Sequence, residues 1–498
     1  MRRGIIFLII FVALLVGPTL FRFFSFTSFG APERAAVPTY DLDDIDLVPT
    51  PAASSFVDNP TVGEGLILLD VAHDNLFSLE EIGSLDGRLS ARGFEMVEYR
   101  GGDLAAALRS VNAFVVITPI TPFTLEERQI TADFVARGGK LLLIGDPSRF
   151  AVDIQEDLFG FTFELNRDEI PLNSLANEFS ISFEGDYLYN TLENEGNFRN
   201  IIVNEAGIGE SDVTDGLSQV ALYGTHSVSG GEGVLLGDDN TWSSATDRPG
   251  GLTMATMAEN GRVLAVGDIH FLTEPYFTVF DNTQFIAQIA DYLTAVSERE
   301  YVLADFPFFF GDEIELVYTG MPDLGPGAFD DIIALQDAFR AVGKELTLAS
   351  EATAGTDTLI VGLYNQTEAI SETLETAEIA LLIEPPVLTE AELADLKDDE
   401  ADADADAAAD EDEEEPTPAP ATRIVESGLG RVQMSGTALL LLEENGNSNT
   451  VIVLAASNDG LENSLARLLE VIPLNADYAL ADCLLNDALA LCPTGVSD

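Results

Sequence analysis

Between Gly65 and Gly145 one pattern recurs. Gly65 to Val71, Phe94 to Tyr99, Ala113 to Thr118 and Lys140 to Gly145 are short, apolar almost throughout, and separated by stretches of helical spacing. Strands apolar along their whole length are buried on both faces, and intervening helices supply the crossovers that parallel neighbours require. The pattern therefore predicts an α/β fold with a parallel sheet covered by helices on both sides. Leu79 to Arg92 and Thr124 to Gly138 are the clearest helices. The second opens with Thr124 and Glu127 at capping-box spacing and closes on Gly138-Gly139.

Residues from Phe150 to about Gly250 depart from this rhythm. Short β-type runs such as Phe179 to Phe183, Ile201 to Val203 and Gln219 to Tyr223 are punctuated by Gly, Asn and Asp, which marks a β-rich insertion or elaborated edge. The sheet resumes with Gly251 to Met257 and Arg262 to Val266, followed by a helix from about Asn282 to Val296. A second, smaller α/β domain then begins, spanning 299–498. It has strands at Glu313 to Tyr318, Glu345 to Ala349, Thr358 to Leu363 and Glu378 to Ile383, with a helix at Phe329 to Val342. Asp398 to Glu415 is almost wholly Asp, Glu and Ala, and self-repulsion predicts a disordered loop over 396–422. Gly436 to Glu443 and Thr450 to Ala456 flank Asn445-Gly446 as a hairpin, and a helix follows at Leu461 to Val471.

The N-terminus fixes location. Arg2 and Arg3 precede an apolar run from Ile5 to Val16 that continues through Pro18 to Phe21, long enough as a helix to cross a bilayer core. Basic residues ahead of the run and Asp41, Asp43, Asp44 and Asp46 beyond it predict a single-pass cell-membrane protein with its N-terminus inside and its body extracytoplasmic. Ser28 and Gly30 are small enough for signal cleavage, but the length of the run and its aromatics to Phe26 favour a retained anchor over 1–26. A Pro-, Ala- and Asp-rich stretch over 27–62 reads as a disordered linker to a first domain over 63–298. With 86 acidic against 23 basic residues and a net charge of −63, the body repels nucleic acid, so no nucleic-acid partner is expected. In an exported chain, Cys483 and Cys492, lacking CxxC spacing, are expected to form a disulfide.

Ligands of parallel α/β sheets bind at the carboxyl ends of the strands. Here those ends read Asp70-Val71-Ala72-His73-Asp74-Asn75, Gly145-Asp146-Pro147 and Gly267-Asp268-Ile269-His270, so neighbouring strands would bring Asp70, His73, Asp146, Asp268 and His270 to one rim. Such a set can hold a divalent metal, with Asp70, His73, Asp268 and His270 the candidates, or act as an acid/base pair. Yet Asp and Asn at strand ends also cap helices and form Asx turns, and in the absence of HxH or HExxH spacing that structural role is the stronger reading. His226, after Gln219 to Tyr223, is a further imidazole in reach of the rim. No GxSxG or GxCxG elbow occurs, Ser148 lacks the flanking glycines of one, and neither GxxxxGK[ST] nor a strand-to-helix GxGxxG is found. Hence no catalytic residue and no cofactor are expected.

Leu68-Leu69-Asp70 with His73-Asp74-Asn75, the helix end Arg137-Gly138-Gly139-Lys140-Leu141-Leu142, and Gly267-Asp268 with Phe271-Leu272, Asp281-Asn282 and the helix Phe285 to Leu293 resemble the DUF4350 family over about 65–295. That family is similar to GldG-like and intraflagellar-transport-like domains on a class I glutamine amidotransferase-like scaffold without the catalytic cysteine. The resemblance implies a membrane-attached binding or assembly protein, accessory to a transporter or ATPase system, with a protein partner in the envelope. It also adds Asp281 and Asn282 to the rim candidates, although their own chemistry reads as an N-cap. The alternatives are a metal-dependent hydrolase acting on an envelope polymer or glycan, and calcium buffering by the acidic loop.

Overall fold

A computed structural model describes residues 2–26, 56–157, 160–166, 169–246, 250–295, 299–319, 326–384, 421–444, 448–471, 480 and 482–495. Residues 27–55 of the linker expected over 27–62, the acidic loop from Asp398 to Glu415 and the Asn445-Gly446 turn lie outside them; residues 56–62 are described, and Asp58 among them is held by Arg88 and Arg92. The chain divides into two units, Met1–Ala52 and Ala53–Asp498. The first contains helix α1 (Arg2–Phe26), whose stretch Arg2–Phe24 has a mean hydropathy of 2.7 and is long and apolar enough to span a membrane.

The second unit is mixed α/β with a parallel core. Its first sheet has seven strands, in the order Glu232–Leu236, Thr253–Ala258, Val263–Val266, β4 (Lys140–Ile144), β3 (Ala113–Ile117), β1 (Gly65–Asp70) and β2 (Phe94–Tyr99). From β2 to Val263–Val266 every pairing is parallel, whereas the two edge strands beyond are antiparallel. Period-2 alternation decides which face each side chain takes. Ile67, Leu69, Val115, Ile117, Leu142 and Ile144 pack under α2 (Gly83–Ala91) and the helix Asn282–Thr294. Leu68, Phe114, Val116, Leu141 and Leu143 pack under α3 (Leu104–Arg109) and α4 (Leu125–Ala136). Both faces of the central strands β1, β3 and β4 are thus covered, whereas β2 at the edge keeps Glu95 exposed.

Helix α2 is shorter than its spacing suggests. Residues before Gly83 form a turn in which Glu81 accepts from Ser78 and pairs with Arg149, so the first helical-looking turn serves the rim instead. The capping box of α4 is present, with Thr124 Oγ1 accepting from the Glu127 amide at 3.2 Å and Glu127 accepting from the Thr124 amide at 2.8 Å. The β-rich segment forms two-stranded ribbons, among them Leu188–Asn190 with Thr241–Ser243 and Asn200–Asn204 with Gln219–Tyr223. Its strand Glu232–Leu236 closes the edge of the main sheet, so the segment elaborates an edge of this sheet.

A second seven-stranded sheet runs Glu345–Ala349, Glu313–Tyr318, Asp357–Leu363, Asn449–Ala455, Thr437–Glu444, Leu489–Pro493 and Leu484–Leu485. Helices Pro326–Ala341 and Asn458–Val471 cover one face through Leu335, Phe339, Leu461 and Leu465. The strand expected at Glu378 to Ile383 does not join this sheet. As Ala380–Glu384 it pairs with Thr422–Ser427 in a small three-stranded sheet that covers Leu439 and Ile452 on the other face. Cys483 and Cys492 form a disulfide between the last two strands of the chain and their approach.

The start of the body is tied down by a buried cation. Arg92, fully buried, donates to Asp58 from Nη1 and Nη2 at 3.1 Å each, to Asp291 at 2.6 Å and to the Ala287 carbonyl at 3.0 Å. Removing one member of such a set strands the others. Arg92→Ala is expected to destabilise the body by about 3 kcal/mol, read as a lower urea midpoint with an unchanged slope.

Candidate functional site

The strand order reverses between β1 and β3, the position at which open α/β sheets form their ligand crevice. Here the chain's own loop fills that crevice. Asp70, fully buried at the end of β1, accepts from His73 Nδ1 at 2.9 Å and from Asn75 Nδ2 at 3.1 Å. Asn75 also donates to the Ile117 carbonyl of β3 at 2.8 Å, and the Leu76 amide donates to Thr118 O. His73 stacks on Phe123 at 3.7 Å between ring centres, and its Nε2 lies 3.5 Å from Glu127. Burial disfavours charge on this imidazole, but Asp70 and then Glu127 outweigh it, so its pKa is raised. Asp74 points elsewhere: it sits at φ 52° and accepts from Thr121 Oγ1.

A second set forms where β4 and Val263–Val266 run side by side. Asp146 Oδ1 accepts from the Ser148 amide and hydroxyl at 2.7 and 2.5 Å, which closes an Asx turn after β4. His270 Nδ1 donates to Asp268 Oδ1 at 3.1 Å and lies 2.8 Å from Asp146 Oδ2, in ion-pair contact though not in line for a directed hydrogen bond. Asp146 and then Asp268 raise the His270 pKa to about 10 against the opposing effect of burial. His270 in turn holds Asp146 low, overcoming burial, while total burial raises Asp268. Asp146, Asp268 and His270 offer ligand atoms within 4.8 Å of one another, a spacing that suits a metal ion. The imidazolium already stands in that place as the counter-ion, and a metal would have to displace its Nδ1 proton.

The candidate residues therefore divide into Asp70-His73-Asn75 and Asp146-Asp268-His270, with β3 between them. Arg149 links the two sets by reaching from the Asp146 turn to the Leu76 carbonyl and to Glu81. His226 does reach the rim. With Thr118, Gly145, Asp146, Arg149 and Ile170 it lines a cavity of only about 40 Å³. Its Nδ1 lies 3.0 Å from Asp186 O, and burial lowers its pKa.

Asp281 and Asn282 are not on the rim, and Asp281 is no side-chain cap. Together with Asp268 they bind the free edge of strand Gln219–Tyr223. Asp281 Oδ2 accepts from the Ser218 and Gln219 amides, Asn282 bonds both the amide and carbonyl of Ala221 at 3.0 Å, and Asp268 Oδ2 accepts from the Tyr223 amide at 2.8 Å. The roles of Arg149 and Asp186 carry no spacing signal and are visible only in three dimensions.

No family model and no curated protein matches the chain. Solved structures resemble it distantly: the mmIFT52 N-terminal domain (15% identity, TM-score 0.37, 46% of this chain and 97% of that one) and a ThuA-like protein from Bacteroides uniformis (11%, 0.28, 48% and 94%). A protein assigned as a GMP synthase subunit from Thermoplasma acidophilum is similar at 11% identity and TM-score 0.27, over 46% of this chain and 95% of that one.

Two outcomes test these roles. Because its folded pKa is raised from about 6.5, His270 gives its full stabilisation below about pH 6.5 and loses it as pH rises through about 10. The stability gap between wild type and His270→Ala, from chemical denaturation, is expected to shrink steadily from pH 6 to pH 10. Asn282→Ala, which orphans both backbone groups of buried Ala221, is expected to cost about 2 kcal/mol by the same measurement.

Proposed function

We propose that this chain is a membrane-tethered, non-enzymatic binding or assembly protein with its body outside the cytoplasm. It belongs with the DUF4350-like proteins it resembles, as an accessory to a transporter or ATPase system. The observation that carries the reading is the filled switch-point crevice: Asp70, His73 and Asn75 spend their hydrogen bonds on one another and on β3. The rim cavity of about 40 Å³ is far below the roughly 300–1,000 Å³ of small-molecule sites. The Asx turn of Ser148 with Asp146 leads into a strand, Ala151–Asp157, and not into the helix that an elbow requires. The apolar helix Arg2–Phe24, which opens on Arg2 and Arg3, supports the tether and its orientation.

The runner-up, a metal-dependent hydrolase of an envelope polymer or glycan, is favoured by the spacing of Asp146, Asp268 and His270. Elemental analysis of purified full-length protein separates the two: less than a stoichiometric metal is expected, and one equivalent lost in Asp268→Ala would establish the runner-up. Protease added to intact cells is expected to digest the body. Cross-linking in native membranes is expected to trap a defined partner, and a body that is protected, or that stays monomeric in every condition, overturns the proposal.

A further inference from the structure

The β-rich segment presents an aromatic floor that neither the sheet nor the rim uses. In the ribbon Leu188–Asn190 with Thr241–Ser243, Trp242 is opposite Tyr189. Alternation buries Leu188, Asn190, Thr241 and Ser243 on one side and puts Tyr189 and Trp242 on the other, partly exposed. Tyr187, two residues back, lies 6.3 Å from Tyr189, and Phe198, 46% exposed, meets the Tyr189 ring edge-on at 6.2 Å. These residues line an open cleft of about 580 Å³, within the usual size of ligand sites.

The floor is braced from beneath. The Tyr187 amide donates to Ser244 Oγ and the Ser244 amide donates back to Tyr187 O, both at 2.9 Å. Buried Asp186 accepts from the Ser243 hydroxyl and from both the amide and the hydroxyl of Ser227. The rings are thus placed before any ligand arrives, which lowers the ordering cost of binding.

The polar groups around the floor identify the ligand. The Arg199 guanidinium lies 4.2 Å above the Tyr187 ring, a cation set against the aromatic floor in a chain of net charge −63. It also lies 5.7 Å from the Phe198 ring, and so touches two of the rings that line the cleft. The exposed hydroxyls of Thr191, Ser244 and Thr246 can both donate and accept. A pyranose matches this arrangement: its C–H face is slightly positive and lies against the negative face of an aromatic ring, while its equatorial hydroxyls supply donors and acceptors around the rim. Being neutral, it meets no repulsion from the acidic body. A proline-rich peptide also stacks on aromatic rings but offers only carbonyl acceptors to these hydroxyls.

We propose that the Tyr187-Tyr189-Trp242 cleft is a binding site for a neutral oligosaccharide, independent of any role of the rim. Trp242 is the one tryptophan of the chain, so selectively excited emission reports on this cleft alone. Full-length protein in detergent is titrated with cellohexaose, chitohexaose, maltohexaose and a hydrolysate of the cell's own envelope polysaccharide, with a proline-rich decapeptide alongside. The expected result is a saturable emission change with at least one sugar. It should be weakened about tenfold or more in Tyr189→Ala and in Arg199→Ala, and retained in Tyr189→Phe. Arg199 is exposed and outside the bracing, so its variant keeps the test valid if Tyr189→Ala unfolds. Silence toward every sugar, equal binding by Arg199→Ala and folded Tyr189→Ala, or saturation by the peptide alone overturns the proposal.

Discussion

One imidazolium allows two carboxylates to be buried side by side at the end of the first sheet. Asp146 and Asp268 follow adjacent parallel strands, and without His270 Nδ1 between them one of the two would have to take up a proton to remain buried. The pairing is local in sequence only for Asp268 and His270; Asp146 comes from β4. The cluster therefore records that the sheet has closed in its correct order.

The same economy governs β1. Asp70 is enclosed by groups from the following loop, and Asn75 extends the enclosure to β3. In an enzyme on such a sheet, crevice side chains are held ready for a substrate by a second layer of contacts. Here they are the second layer, holding loops to one another. That inversion supports the role proposed for the sheet, and it contrasts with the β-rich segment, where the rings of Tyr189 and Trp242 are partly exposed.

Much of the architecture was legible along the chain because burial on both faces leaves an unmistakable record. The runs at Leu66 to Leu69 and Ala113 to Ile117 have no polar side chain to face water, and Thr124 with Glu127 marks a helix start by direct side-chain chemistry. The rim was legible only as a set of strand ends. Asp146, Asp268 and His270 do converge, but β3 keeps Asp70 and His73 apart from them, and strand order is not written in apolar spacing. Asp281-Asn282 reads as a cap because the residue types suit one. The edge strand that claims them instead lies about sixty positions earlier in the chain. Glu232–Leu236 was hidden for a similar reason: a short strand between glycines has no pattern to say which sheet it will join.

The ladder of Asp281, Asn282 and Asp268 along Gln219–Tyr223 replaces a neighbouring strand with side chains. An unsatisfied β edge is a template on which a foreign backbone can assemble, the usual first step toward fibrous self-association. Saturating its amides and carbonyls from within closes that template permanently and leaves no register for an incoming peptide. The groups most reminiscent of a ligand motif thus shield a strand edge from foreign backbones.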